Sequence, residues 1–192
     1  MIFFTSDLHL WNDNIIGYEG RPYYNSEKMT KELVELQNDT LKDEDILYDI
    51  GDFSLKSATW IKLYEQIAPK FRKIKGRHLI LGNHDSLKPM TYVNLELFHS
   101  VHTAFWFEHT VFGSVYANTY KLILCHDPCV FQPGLKFDIG LCGHVHKLFK
   151  EITFGNNQPI INVGVDVRDY KPISIKDIIN IAKPIMEKKC EK

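Results

Sequence analysis

Five short apolar runs in this sequence end in polar clusters, and every cluster holds an aspartate or a histidine. Residues 2–5 run into Ser6-Asp7-Leu8-His9, residues 45–50 into Gly51-Asp52-Phe53, and residues 78–81 into Gly82-Asn83-His84-Asp85. Residues 120–125 stop at His126-Asp127-Pro128, and residues 137–142 at Gly143-His144-Val145-His146. Short apolar runs bounded by turn residues read as buried strands. A chain built this way carries its chemistry on loops at strand ends, where open α/β sheets bind ligands. Asp7 and His9 are two residues apart, as are His144 and His146. In extended backbone such pairs share a face, so each pair is expected to aim at one point. Gly82 is expected to let the chain turn after its strand.

Helical periodicity separates the strands of the first half. Met29, Leu33, Leu36 and Thr40 repeat at helical spacing over residues 26–41, with Asn25 or Ser26 as the cap. Trp60, Tyr64, Ile67 and Ala68 mark a second helix, stopped at Pro69. Residues 86–100 read either as a short helix or as a flap over the site. The second half is strand-rich: residues 101–107, 111–117 and 120–125 read as strands, with Asn118-Thr119 as a hairpin turn. Residues 148–154 and 159–163 suggest a hairpin closed by Gly155-Asn156-Asn157. Ser174 and Asp177 have capping-box spacing for a last helix that Pro184 kinks or ends. The order predicts a mixed α/β sandwich rather than one doubly wound sheet.

At 192 residues the chain reads as one domain, 1–192, large enough to bury a core without staples. A net charge of −1 supplies no global basic field toward nucleic acid or anionic lipid. Cys125, Cys129, Cys142 and Cys190 form no CxxC pair and read as reduced thiols, Cys125 and Cys142 as small packed hydrophobes. No apolar stretch has membrane-spanning length, and the first residues read as a strand rather than a leader. A cytoplasmic protein without a membrane partner is the expectation.

The clusters offer carboxylate, amide and imidazole donors, a set that suits Mn, Fe, Zn or Ni. They exceed the roughly three protein ligands of a catalytic zinc and suffice for two ions sharing a ligand. In order and spacing the five clusters resemble the calcineurin-like metallophosphoesterase superfamily over essentially the whole chain. Asn14-Ile15-Ile16, Arg21-Pro22 and Asn162-Val163-Gly164-Val165-Asp166-Val167 further resemble a small single-domain branch from bacteria and phages. Asn12 stands where many such relatives carry a His. The resemblance implies a four-layer αββα sandwich with two mixed β-sheets. It implies two divalent ions, Mn first among the candidates, and a bridging hydroxide as nucleophile. Asp7, His9, Asp52 and His146 would hold one ion. Asp52, Asn83, His126 and His144 would hold the other, with Asp52 bridging. His84 would contact the phosphoryl oxygen or protonate the leaving group, and Asp85 would orient His84 by a hydrogen bond. Asn12, Asn14 and Arg21 are the candidate substrate contacts.

Two carboxylates cancel half the charge of two divalent ions, so such a site stays cationic and favours an anionic phosphoester. Asn83, a neutral ligand, preserves that surplus. The expected activity is hydrolysis of phosphodiesters, phosphomonoesters or both, on a small phosphoester or nucleotide. Two other readings stay open: a catalytically silent scaffold of the same fold, and a nuclease acting on short single strands. Arg21, Lys88, Lys147 and Arg168 are candidates for the mouth of the site, with ordinary surface charge as the plainer account. Trp11, Tyr18, Tyr23 and Tyr24 could stack a base or simply pack. Exposed edge strands in the second half would permit a dimer.

Overall fold

A computed structural model describes residues 1–54, 67–85, 87–94, 96–112, 117–155 and 157–187. Two five-stranded sheets carry the fold. The first holds β1 (Ile2–Thr5), β2 (Ile46–Asp49), β3 (Gly76–Ile80), β4 (Ser100–His102) and β10 (Ile173–Ser174), in the order β10-β1-β2-β3-β4. The second holds β5 (Phe105–Phe112), β6 (Ala117–Leu124), β7 (Ile139–Cys142), β8 (Glu151–Phe154) and β9 (Gln158–Asn162), in the order β5-β6-β7-β9-β8. Strands β1 to β4 run parallel and β10 antiparallel to β1. In the second sheet β6, β7 and β9 run parallel, with β5 and β8 antiparallel at the edges. Both sheets are therefore mixed, as expected.

Side-chain alternation sorts each strand between two faces. Phe4, Ile50 and Ile80 from the first sheet meet Leu122, Leu124, Ile139, Leu141 and Ile161 from the second, forming the inter-sheet core. Helix α4 (Ile175–Glu187) seals that core with Ile178, Ile179 and Ala182. Leu79 points the other way, toward α2 (Ser26–Thr40), whose Met29 and Leu33 cover the outer face. The outer face of the second sheet is covered by Phe131 and Phe137, which lie on Cys125, Cys142 and Ile160. That layer consists of a 3-10 turn (Pro128–Val130) and coil rather than a long helix.

Several local expectations shift. Asn25 caps α2 as expected, through Lys28 N at 2.9 Å. The buried stripe, however, runs Met29, Leu33 and Gln37 instead of ending at Leu36 and Thr40. Gln37 is drawn in because its Oε1 accepts from buried Arg77 at 2.8 Å. Asn118 and Thr119 are not a turn: they lie within β6, opposite Val111 and Thr110. Within 86–100, α3 (Pro89–Asn94) buries Tyr92, and Leu97 and Phe98 follow it into the core. These side chains anchor the segment rather than leaving it as a flap. Ser174 caps α4 by accepting from Asp177 N at 3.2 Å. Helix α4 continues past Pro184 to Glu187, because Pro184 sits on an exposed turn where water can take the freed carbonyl. Trp60, Tyr64 and Asn156 lie outside the described residues, while Ile67 packs in the core and Pro69 sits in the 3-10 turn Ala68–Lys70. Cys125 and Cys142 are buried and unbridged. Among the described residues no helix is long and apolar enough to cross a membrane.

Candidate metal centre

Because β1, β2 and β3 are parallel, the loops after them open at one edge of the first sheet. β6, β7 and β9 do the same in the second sheet. A parallel bridge between Ser6 and Gly164 brings the two edges together. All five sequence clusters therefore meet, and the loop after β9 joins them as a sixth contributor.

The backbone does not stay extended there, which corrects the alternation expected for the spaced pairs. Asp7, His9, Asp52, His144 and His146 all have positive φ, between 43° and 70°. Left-handed backbone costs a non-glycine residue about 1–2 kcal/mol, and it persists where surroundings over-determine it. Here they do: Asp7 N donates to Gly51 O and His9 N to Asp52 O, both at 2.9 Å, and His144 N donates to Asp7 Oδ1 at 3.0 Å. Gly82 is required for a different reason than turning. A Cβ there would lie 2.2 Å from Asp52 Oδ1, so only glycine lets that carboxylate seat against the loop.

Asp52 is the hub. Its Oδ1 accepts from His84 N at 2.8 Å, while Oδ2 lies 3.3 Å from His126 Nε2 and 3.6 Å from His9 Nε2. The donor atoms of Asp7, His9 and His146 lie within 4.8 Å of one another, as do those of Asp52, His126 and His144. Asn83 Oδ1 joins the second group, 3.0 Å from His144 Nδ1. The geometry thus brings all seven expected ligands into two groups that meet at Asp52 Oδ2.

The donor chemistry fits divalent cations. His9 is buried, and neither of its ring nitrogens has a hydrogen-bond partner among the described residues. Orphaned buried polar atoms are costly unless something answers them. Burial pushes His9 down to about 3, leaving a neutral imidazole with a free lone pair. Burial pushes Asp52 up, but His126, the backbone amide of His84 and His9 together outweigh it, and Asp52 settles at about 2, ionised. His126 Nδ1 donates to Ile50 O at 2.7 Å, which turns Nε2 toward Asp52.

The residues expected around this core divide. His84 stands at its rim, with Nε2 3.9 Å from Asp52 Oδ2 and a side chain 40% exposed. Asp85 does not orient His84. Its Oδ2 accepts from Asp52 N at 2.8 Å and Gly82 N at 2.9 Å, and its Oδ1 accepts from Phe53 N at 3.1 Å. Both oxygens are engaged by peptide donors, so the carboxyl clamps the Asp52 loop to the Gly82 loop. Burial pushes Asp85 up to about 7 against those donors. Asp85→Ala strands three amide groups, and the metal-free protein is expected to lose about 3 kcal/mol or more, read as a drop in denaturation midpoint.

Arg21 is not a substrate contact. Its side chain is fully buried against Asp166, with Nε–Oδ1 and Nη2–Oδ2 both at 2.8 Å. Asn12 is buried too, and its Oδ1 caps α1 (Asp13–Glu19) by accepting from Asn14 N at 3.0 Å. Asn14 remains exposed. Of the mouth candidates, Arg168 is tied to Asn162 O and Lys150 O, and Lys147 Nζ donates to Glu19 O. Lys88, Tyr18 and Tyr24 are exposed, and Tyr23 packs edge-on against Tyr170.

Residue roles missed from sequence lie at the end of β9 and just beyond it. Asp166 Oδ2 is 2.8 Å from His146 Nδ1. Asn162 Nδ2 donates to His146 O at 2.7 Å and Phe149 O at 2.9 Å, holding the histidine's loop. The signal was present in the stretch 162–167, but as a family marker without a role.

A family model for calcineurin-like phosphoesterases matches residues 1–148, which contain all seven converging candidate ligands. The chain belongs to the calcineurin-like phosphoesterase family. An uncharacterized protein of Methanocaldococcus jannaschii is 31% identical over 184 residues, covering 94% of this chain and 90% of that one. The crystal structure of a protein of unknown function from Aquifex aeolicus superposes with a TM-score of 0.60 at 20% identity, covering 94% of this chain and 98% of that one. The second likeness supports the fold alone. As a calcineurin-like phosphoesterase, the chain has His and Asp clusters that fit metal-dependent phosphoester chemistry.

Proposed function

We propose that this calcineurin-like phosphoesterase hydrolyses small phosphoesters or nucleotides with two divalent ions, Mn first among the candidates. The observation that carries the reading is Asp52 Oδ2 facing His9 Nε2 and His126 Nε2 from one oxygen. Asp7, His9, Asp52 and His146 would hold one ion, and Asp52, Asn83, His126 and His144 the other. When bound, the pair supplies Lewis-acid polarisation of the phosphoryl group and a water acidic enough to attack at neutral pH.

The protein's own groups then have separable tasks. The ligating carboxylates and His126 are buried, whereas His84 is open to an incoming ester. Its imidazole is placed to contact a phosphoryl oxygen or pass a proton to the departing alkoxide. Asp85 and the Asp7–Gly51 and His9–Asp52 backbone bonds keep the ligand loops from relaxing. Such fixed geometry is what electrostatic catalysis requires. Asn14 is the expected substrate contact still available at the surface.

The test compares metal-stripped and Mn-reconstituted protein on nitrophenyl phosphate and bis-nitrophenyl phosphate. Nitrophenol release only after Mn addition is expected. Equal turnover by the two preparations sinks the reading. Cyclic nucleotides and short oligonucleotides in the same panel separate small-ester from nuclease preference.

A further inference from the structure

We propose that the buried Arg21–Asp166 pair is a positioning device for one ion of the pair and leaves the other untouched. This rests on the two-metal reading above. Arg21 donates to Asp166 through Nε and Nη2, to Leu8 O through Nη1 at 2.9 Å, and to Asp7 O through Nη2 at 2.7 Å. Two of those acceptors are the main-chain carbonyls between Asp7 and His9. Asp166, gripped by the guanidinium, accepts from His146 Nδ1 at 2.8 Å. An acceptor-only carboxylate there places the ring proton on Nδ1 and leaves the Nε2 lone pair for a cation. One ion pair thus fixes the loop after β1 and the ring of His146. Three of the four residues assigned to the first ion, Asp7, His9 and His146, depend on it.

The other group is supported differently. His126 Nδ1 donates to the carbonyl of Ile50, and His144 Nδ1 meets Asn83 Oδ1. Neither contact involves Arg21 or Asp166. The groups share Asp52, which is held by Asp85 and the backbone of His84, and they are also linked by His144 N donating to Asp7 Oδ1 at 3.0 Å, a bond that fixes the main chain of His144 and leaves its ring to Asn83. The asymmetry is therefore built into which loops each support reaches. Asp166 also lies beyond residues 1–148, the span the family model matches. Its contribution is separate from the ligand set that the match contains.

The experiment titrates metal-stripped full-length chain with Mn(II), by calorimetry and by electron paramagnetic resonance. Wild type is expected to take two ions and show a spin-coupled pair. Asp166→Asn is expected to weaken one ion about 10–100-fold, the usual effect of losing a ligand's hydrogen-bonding carboxylate, and leave the other at its wild-type affinity. The coupled spectrum then gives way to a single-ion spectrum at intermediate Mn. Adding His144→Ala to Asp166→Asn should weaken the remaining ion as well. Should Asp166→Asn fail to fold with Arg21 left unpaired, Arg21→Met with Asp166→Leu replaces the pair by apolar groups and must show the same split. Equal weakening of both ions, or of neither, overturns the proposal while the two-metal reading stands. Fewer than two ions in wild type overturns both.

Discussion

Asp52→Asn is expected to lose both ions and nearly all turnover. The substitution is isosteric, so Oδ1 can still accept from His84 N, and the loop has little reason to move. What changes is the atom between His9 Nε2 and His126 Nε2, where an ionised oxygen shared by both groups becomes an amide. An amide NH2 cannot serve as a ligand to either ion, and an amide oxygen turned inward brings no charge. Losing one electrostatic stabilising group in an active site costs about 10²–10³-fold in rate, and here each ion loses its share at once. Metal content by elemental analysis and turnover on bis-nitrophenyl phosphate read the result together. Two Mn per chain with wild-type turnover would remove Asp52 from the centre of the scheme.

His84→Ala should separate chemistry from assembly. The His84 ring is more exposed than the rings of His9 and His126 and stands 3.9 Å from Asp52 Oδ2, farther than either of them. Both ions are expected to stay. Turnover should fall about 10²–10⁴-fold, the range for loss of a general acid. The loss should be larger for phenyl phosphate than for nitrophenyl phosphate, because the poorer leaving group depends more on a proton. A uniform loss across leaving groups would assign His84 to the phosphoryl oxygen instead. The donor atoms of His84, His9 and Asp52 also lie within 4.8 Å of one another. If His84→Ala releases an ion and keeps its turnover, His84 is a ligand and not an acid.

Much of the converging cluster was legible because each part of it is local. An apolar strand followed by Gly51-Asp52 or Gly143-His144-Val145-His146 can be read within a few residues. Parallel pairing then brings such strand ends to one edge, so Asp7, Asp52, Asn83, His126 and His146 converge. Side-chain partners were less legible. Asp85 sits beside His84 in sequence, which suggested a hydrogen bond between them. Its oxygens instead meet the amides of Gly82, Asp52 and Phe53, and only the packed loops reveal this. Arg21 next to Pro22 read as a loop cation for substrate, yet it is fully buried. The Asn118-Thr119 turn failed similarly, since two strands of eight residues in register outweigh weak turn chemistry.

The amino-acid order by itself determined which donors stand at which strand ends, because strand and cluster are neighbours along the chain. Only the folded arrangement decided what those donors lean on. Left-handed backbone at Asp7, His9, Asp52, His144 and His146 survives through bonds from distant loops, not through local preference. Arg21 and Asp166 are 145 residues apart, and no local pattern encodes their meeting. They meet because β1 and β9 end side by side at Ser6 and Gly164, where burial leaves each charge no better partner than the other.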